Sequence, residues 1–157
     1  MSTPAYELGL ISDTHGLLRP EALAALRGCD AILHAGDIGD PAILTALAEL
    51  APVTAVRGNN DHDACYDAIP ETVTAAFGGV RLHLLHDLKT LALNPSEAGI
   101  RIVVSGHSHR PTITERDGVL YINPGSAGPR RFNLPISVGR VRIVSGEVAA
   151  EWVELQA

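Results

Sequence analysis

The chain has 157 residues, 46% of them hydrophobic, and a formal net charge of −6. It is long enough for one core and has no linker to split it, so residues 1–157 are expected to form a single domain, while the acidic balance disfavours a large nucleic-acid footprint. Two cysteines, Cys29 and Cys65, are too few for a disulfide scaffold, no apolar run approaches the roughly 20 residues that span a bilayer, and the start Met1-Ser2-Thr3-Pro4 lacks a basic-then-apolar leader, so a cytoplasmic protein with reduced thiols and no membrane partner is expected.

The first apolar run, 8–12, reads as a strand and ends at Asp13-Thr14-His15. Residues 20–27 and 41–50 are rich in Ala and Leu, open with Pro20 and Pro41, and read as crossover helices. Between and after them come strands 31–35, running into Gly36-Asp37, and 53–56, stopping just short of Gly58-Asn59. The first third is therefore βαβαβ. The rhythm then changes. Runs 72–77 and 80–85 flank Gly78-Gly79 as a hairpin, with His86 directly after it, and strand 100–104 leads into Gly106-His107-Ser108-His109. Two further hairpins are expected, 112–115 with 119–122 and 137–144 with 147–154. So much strand overfills one sheet, and two packed sheets with helices outside, a layered α/β sandwich, are the expected solution.

Five polar signatures thus follow five strands. In open α/β sheets ligands gather at the carboxyl ends of strands, so these groups can converge. Asp13 and His15 are two residues apart, as are His107 and His109, and extended chain would turn each pair to one side. The signatures supply oxygen and nitrogen donors enough for two metal ions. A pair of divalent cations would outweigh the carboxylates of Asp13 and Asp37 and attract a phosphate despite the negative net charge.

The blocks Asp13-x-His15, Gly36-Asp37, Gly58-Asn59, His86 and Gly106-His107-x-His109 resemble the five motifs of the calcineurin-like metallophosphoesterases, over residues 8–109. The short length, the Gly58-Asn59-Asn60-Asp61 form and the later Asn123-Pro124-Gly125-Ser126 are most similar to the small YfcE-like phosphodiesterase branch. The resemblance implies a four-layer αββα sandwich with two mixed β-sheets and a dinuclear metal-dependent phosphoesterase that hydrolyses small phosphodiesters by hydroxide attack from between the ions. It implies one ion on Asp13, His15 and His109, a second on Asn59, His86 and His107, and Asp37 bridging them. Imidazoles, carboxylates and one amide, with no thiolate, suit two divalent transition-metal ions: manganese first, with iron, zinc, nickel or cobalt as alternatives.

The chain also departs from the family. Many relatives carry a histidine directly after the Gly-Asn pair, where this chain has Asn60, which cannot donate a proton as imidazolium does. His62 is expected to serve as acid instead, alongside Asp37 and Asn59 in the catalytic centre, unless substrates have good leaving groups. Asp87 follows His86 where a glycine is common in the family. Asn60 and Arg130 are expected to contact the phosphoryl group; for Arg130 a solvated basic pair with Arg131 is the alternative. Asp61 is expected to brace the Asn59 loop, His34 to orient a ligand from the core, His83 to be structural, and 63–71 to be a lid candidate. The same fold serves as a protein-binding scaffold in the family's retromer subunit, so a non-catalytic scaffold is the competing reading, which intact donors at every ligand position disfavour. A small phosphoester is the expected partner, and the edges of the late hairpins leave room for a homo-oligomer.

Overall fold

A computed structural model of the chain describes residues 4–156; residues 1–3, on which the expectation of no leader partly rests, lie outside the described residues. In chain order the elements are β1 (Tyr6–Ile11), α1 (Pro20–Ala25), β2 (Ala31–His34), α2 (Ala42–Ala48), β3 (Val53–Ala55), β4 (Thr72–Phe77) and β5 (Val80–Leu85). They continue as β6 (Ile102–Val104), β7 (Thr112–Arg116), β8 (Val119–Asn123), β9 (Ser137–Val144) and β10 (Glu147–Glu154). The strands form two mixed sheets, ordered β10-β9-β1-β2-β3 and β4-β5-β6-β8-β7.

The apolar runs are continuous because β1 and β2 are covered on both faces. Leu8, Leu10, Leu33 and Ala35 point to the opposite sheet, where Leu82, Leu84, Ile102, Val104 and Ile122 meet them. Ile11 and Ile32 point the other way and are buried under Ala22 of α1, Leu26 at its C-terminal cap, and Ile43 and Leu47 of α2. The expected two-sheet sandwich is thus formed, with unequal outer layers. On the second sheet's outer face, Leu85, Val103 and Val119 are covered by Leu88 and Leu91, from a 3-10 turn at Leu88–Thr90 and the coil after it, together with Tyr121 of β8. No α-helix forms there among the described residues, since 91–99 carries Pro95, Gly99 and too little helical periodicity to sustain one.

The helices are shorter than expected at their C-terminal ends. α1 stops at Ala25, with Gly28 at φ +83° turning the chain toward β2, and α2 stops at Ala48, ahead of Pro52. Strands β1, β2 and β3 run parallel, as do β5, β6 and β8. The chain leaves these parallel strands at one end of the sandwich, where Gly106 N donates to the carbonyl of His86 and His107 N to Asp13 Oδ2 across the gap between sheets.

Candidate metal centre

All seven expected donors meet there. Asp13 Oδ1 lies 3.4 Å from His109 Nε2, 3.7 Å from His15 Nε2 and 3.9 Å from His86 Nε2. Asp37 Oδ2 lies 3.2 Å from His86 Nε2 and 3.7 Å from His15 Nε2. His107 Nδ1 is 3.3 Å from His86 Nε2 and 3.2 Å from Asn59 Oδ1. Two clusters result, Asp13 with His15 and His109, and Asp37 with His86 and His107, the second adjoined by Asn59.

Convergence is achieved differently from the expected strand alternation. Asp13, His15, Asp37, His107 and His109 all have positive φ, between 45° and 71°. These residues sit beyond the strand ends, in left-handed turns that fold each short loop back on the next. Such backbone costs about 1–3 kcal/mol per residue and persists where surrounding contacts over-determine it. Those contacts are visible: Asp13 N, His15 N and Gly16 N donate to the carbonyls of Gly36, Asp37 and Ile38 in succession.

The glycines of the signatures have the same origin. A Cβ on Gly58 would stand 2.1 Å from Asp37 Oδ1, and one on Gly106 2.0 Å from Ser12 Oγ and 2.7 Å from Asp13 Oδ2. Each glycine lets one ligand loop pass against a carboxylate supplied by another.

Several neighbours hold the donors in place. His86 Nδ1 donates to the Ala35 carbonyl at 2.7 Å, which turns Nε2 toward Asp37. Asn60 donates from its backbone N to Asp37 Oδ1 and from Nδ2 to Oδ2. Buried Asp61 accepts from Ile38 N, Gly39 N and Gly58 N, bracing the Asp37 and Asn59 loops together as expected. His34 is fully buried; its Nδ1 accepts from Gly36 N and its Nε2 donates to Thr14 Oγ1, whose hydroxyl donates to Ile38 O. It orients the first two loops from beneath, and burial, partly opposed by Asp13 and Asp61, depresses its pKa to about 4. His83 is structural, hydrogen-bonded to Thr74 Oγ1. Asn123 and Ser126 carry more of the site than their motif suggested. Asn123 Nδ2 donates to Gly106 O and Ser108 Oγ, and Ser126 Oγ donates to Asp13 O, so this turn ties the last ligand loop to the first.

The electrostatics fit cations. Asp13 Oδ1 is buried without a hydrogen-bond partner. Burial raises the Asp13 carboxyl, but the imidazoles of His109 and His15, the Ser12 hydroxyl and His86 outweigh it and hold the group well below the usual carboxylate range. Asp37 is likewise lowered, burial being outweighed by His86 and Asn60. His86 is raised: burial opposes its charge, yet Asp37 and Asp13 prevail. Because His86 Nδ1 donates to a carbonyl, neutral His86 would aim a lone pair at Asp37 Oδ2 only 3.2 Å away. Two acceptors that close need a cation between them, a proton or a metal, and a metal would compete for the same position.

His62 is exposed and lines a cleft of about 450 Å³ that also includes Asn59 and His86. Arg57, Glu71, Thr72, Asp87 and Thr90 line the same cleft, and the sequence reading missed Arg57, Thr72 and Thr90 because they belong to no signature. Arg130 is exposed and donates to the Leu134 carbonyl at 3.4 Å. The segment 63–71 is pinned by buried Tyr66 and by Arg57 N donating to Pro70 O. Cys29 is buried and Cys65 exposed, both as free thiols.

The family model described as the calcineurin-like phosphoesterase superfamily domain matches residues 6–146. The chain belongs to this superfamily. A probable metallophosphoesterase of Methanothermobacter thermautotrophicus is 36% identical over 162 aligned positions, covering 96% of this chain and 93% of that protein. Among solved structures, an archaeal phosphodiesterase superposes with a TM-score of 0.77 at 22% identity, over 94% of this chain and 99% of that one. Chaetomium thermophilum Vps29 superposes with a TM-score of 0.76 at 20% identity, over 94% and 97%. These superpositions carry the calcineurin-like fold, and the paired donor clusters of this chain fit the metal-dependent chemistry of its superfamily.

Proposed function

We propose that this calcineurin-like protein is a dinuclear metal-dependent phosphodiesterase acting on small phosphodiesters. The observation that carries the reading is a pair of adjoining donor clusters around a buried carboxylate oxygen, Asp13 Oδ1, that has no hydrogen-bond partner. Asp13, His15 and His109 would hold one ion, Asn59, His86 and His107 the other, and Asp37 lies within reach of both groups through His15 and His86. When bound, two such ions supply an activated water near neutral pH and neutralise charge on the phosphoryl oxygens.

The protein's own residues do the rest. Asn60 and the Ala35 carbonyl orient Asp37 and His86. Asn60 retains a second amide hydrogen that can meet a phosphoryl oxygen. His62, in the cleft beside Asn59, can hand a proton to a departing alkoxide. Arg130 would reach the phosphoryl group by leaving the Leu134 carbonyl. Manganese is the first-choice metal on donor chemistry. No helix among the described residues is long and apolar enough to cross a membrane, which is compatible with a cytoplasmic enzyme. The phosphodiesterase among the structural neighbours supports diesters over monoesters.

The test is turnover of bis(p-nitrophenyl) phosphate and p-nitrophenyl phosphate by metal-free protein reconstituted separately with manganese, iron, zinc, nickel and cobalt. The diester should be the better substrate, and Asp37→Asn and His107→Ala should each abolish turnover. Absence of turnover with all of these metals would favour a protein-binding scaffold instead.

A further inference from the structure

The cleft beside the metal centre has a chemistry of its own. Asn59 and His86 contribute to its wall, and Arg57, Glu71, Thr72, Asp87 and Thr90 form much of the rest. Its cationic guanidinium is engaged: Arg57 Nη2 lies 3.7 Å from Glu71 Oε1. Asp87 Oδ1 accepts from the backbone N of Lys89, leaving Oδ2, 4.0 Å from His107 Nε2, free to accept from a ligand. Lys89 does not line the cleft; it lines a neighbouring hollow that shares Asp87 with it and includes Gly106 and Thr112. Asp61, also at the cleft, is buried and occupied by backbone N–H groups. The wall therefore combines hydroxyls, carboxylates and the His62 imidazole with one paired guanidinium, and its carboxylates, Glu71, Asp87 and Asp61, outnumber that guanidinium. It offers acceptors to hydroxyl groups and opposes an anion, directly beside donors that would hold cations and draw a phosphoryl group.

Resting on the phosphoesterase reading, we propose that this cleft is the subsite for an ester arm of the substrate and selects a neutral polyhydroxylated arm, a glycerol or sugar residue, over an arm bearing a second negative charge. Thr72, Thr90 and Asp87 would receive the hydroxyls, while Glu71 would keep Arg57 from rewarding an anionic arm.

Glycerol 3-phosphate and 3-phosphoglycerate give the comparison, because they differ chiefly in a hydroxymethyl group against a carboxylate. Calorimetric titration of the manganese-loaded protein with each, and with inorganic phosphate as reference, reads binding without turnover. Glycerol 3-phosphate should bind about tenfold more tightly than 3-phosphoglycerate, the scale expected for one like-charge contact in a partly exposed cleft. Glu71→Gln changes a largely exposed side chain, so the fold should survive. It frees Arg57 and should narrow the gap to about threefold or less. Equal affinities in the wild type, or a gap that survives Glu71→Gln, would overturn this assignment alone. Failure of inorganic phosphate to bind would overturn the phosphoesterase reading and this proposal with it.

Discussion

Replacing Gly58 by alanine tests whether the signature glycines exist to let ligand loops touch. A Cβ at Gly58 would lie 2.1 Å from Asp37 Oδ1, 2.3 Å from its backbone N and 2.7 Å from its Cγ. Carbon does not approach such atoms closer than about 3.0 Å, so relief requires a displacement of roughly 1 Å between the two loops. Asp37 cannot yield freely, because Asn60 holds both of its oxygens. Overpacking of this kind costs about 1–3 kcal/mol, or about 3–10 °C in Tm for a chain of this size. Metal sites tolerate only about 0.2 Å in ligand distance, so affinity should fall at least tenfold. Saturating metal near one hundred times Kd is worth about 2.7 kcal/mol of stability, and a tenfold weaker site would keep only about 1.4 kcal/mol of it, so about half or more of the metal-induced rise in Tm should vanish at the same metal concentration. Gly28→Ala is the control: Gly28 has φ +83° but nothing within 4 Å, so it should lose stability through backbone strain and keep its metal response. Calorimetric melting with and without manganese, with metal titration, reads both variants. Wild-type metal affinity in Gly58→Ala would refute the close-approach argument.

Three more predictions follow from the neighbours of the donors. His34 is held neutral by burial with a pKa near 4 against 6.5 when unfolded, so the unfolded chain binds the extra proton. Stability should therefore fall as pH drops below about 6.5, by up to about 3 kcal/mol once pH passes below 4, and metal-free His34→Gln should lack that part of the slope in urea melts. Asp61→Asn removes one of the oxygens that accept from Ile38 and Gly58; it should cost about 1–3 kcal/mol and weaken metal binding by tenfold or more, with unchanged metal titration counting against its bracing role. His62→Ala should slow hydrolysis of an alkyl diester by at least about tenfold and leave a p-nitrophenyl diester nearly unaffected; equal rates on both would remove His62 as proton donor.

Local patterning made much of this protein legible. Continuous apolar runs such as 8–11 and 31–33 announce strands covered on both faces, because only a doubly buried strand keeps its odd and even positions apolar. The identities of the donors announce the metal chemistry, because ligand hardness and charge belong to side chains and not to their arrangement. What the chain cannot carry locally is the meeting of residues far apart in sequence. His15 and His109 face each other at 3.4 Å across 94 positions only because two sheets pack with their parallel strands ending together. The left-handed turns at Asp13, Asp37 and His107 were equally invisible, since Asp and His tolerate positive φ better than most residues but rarely adopt it, and here hydrogen bonds from neighbouring loops decide it. Likewise the cleft wall from Arg57 to Thr90 belongs to no motif; its residues become a surface only where β3, β4 and the turn after β5 come together.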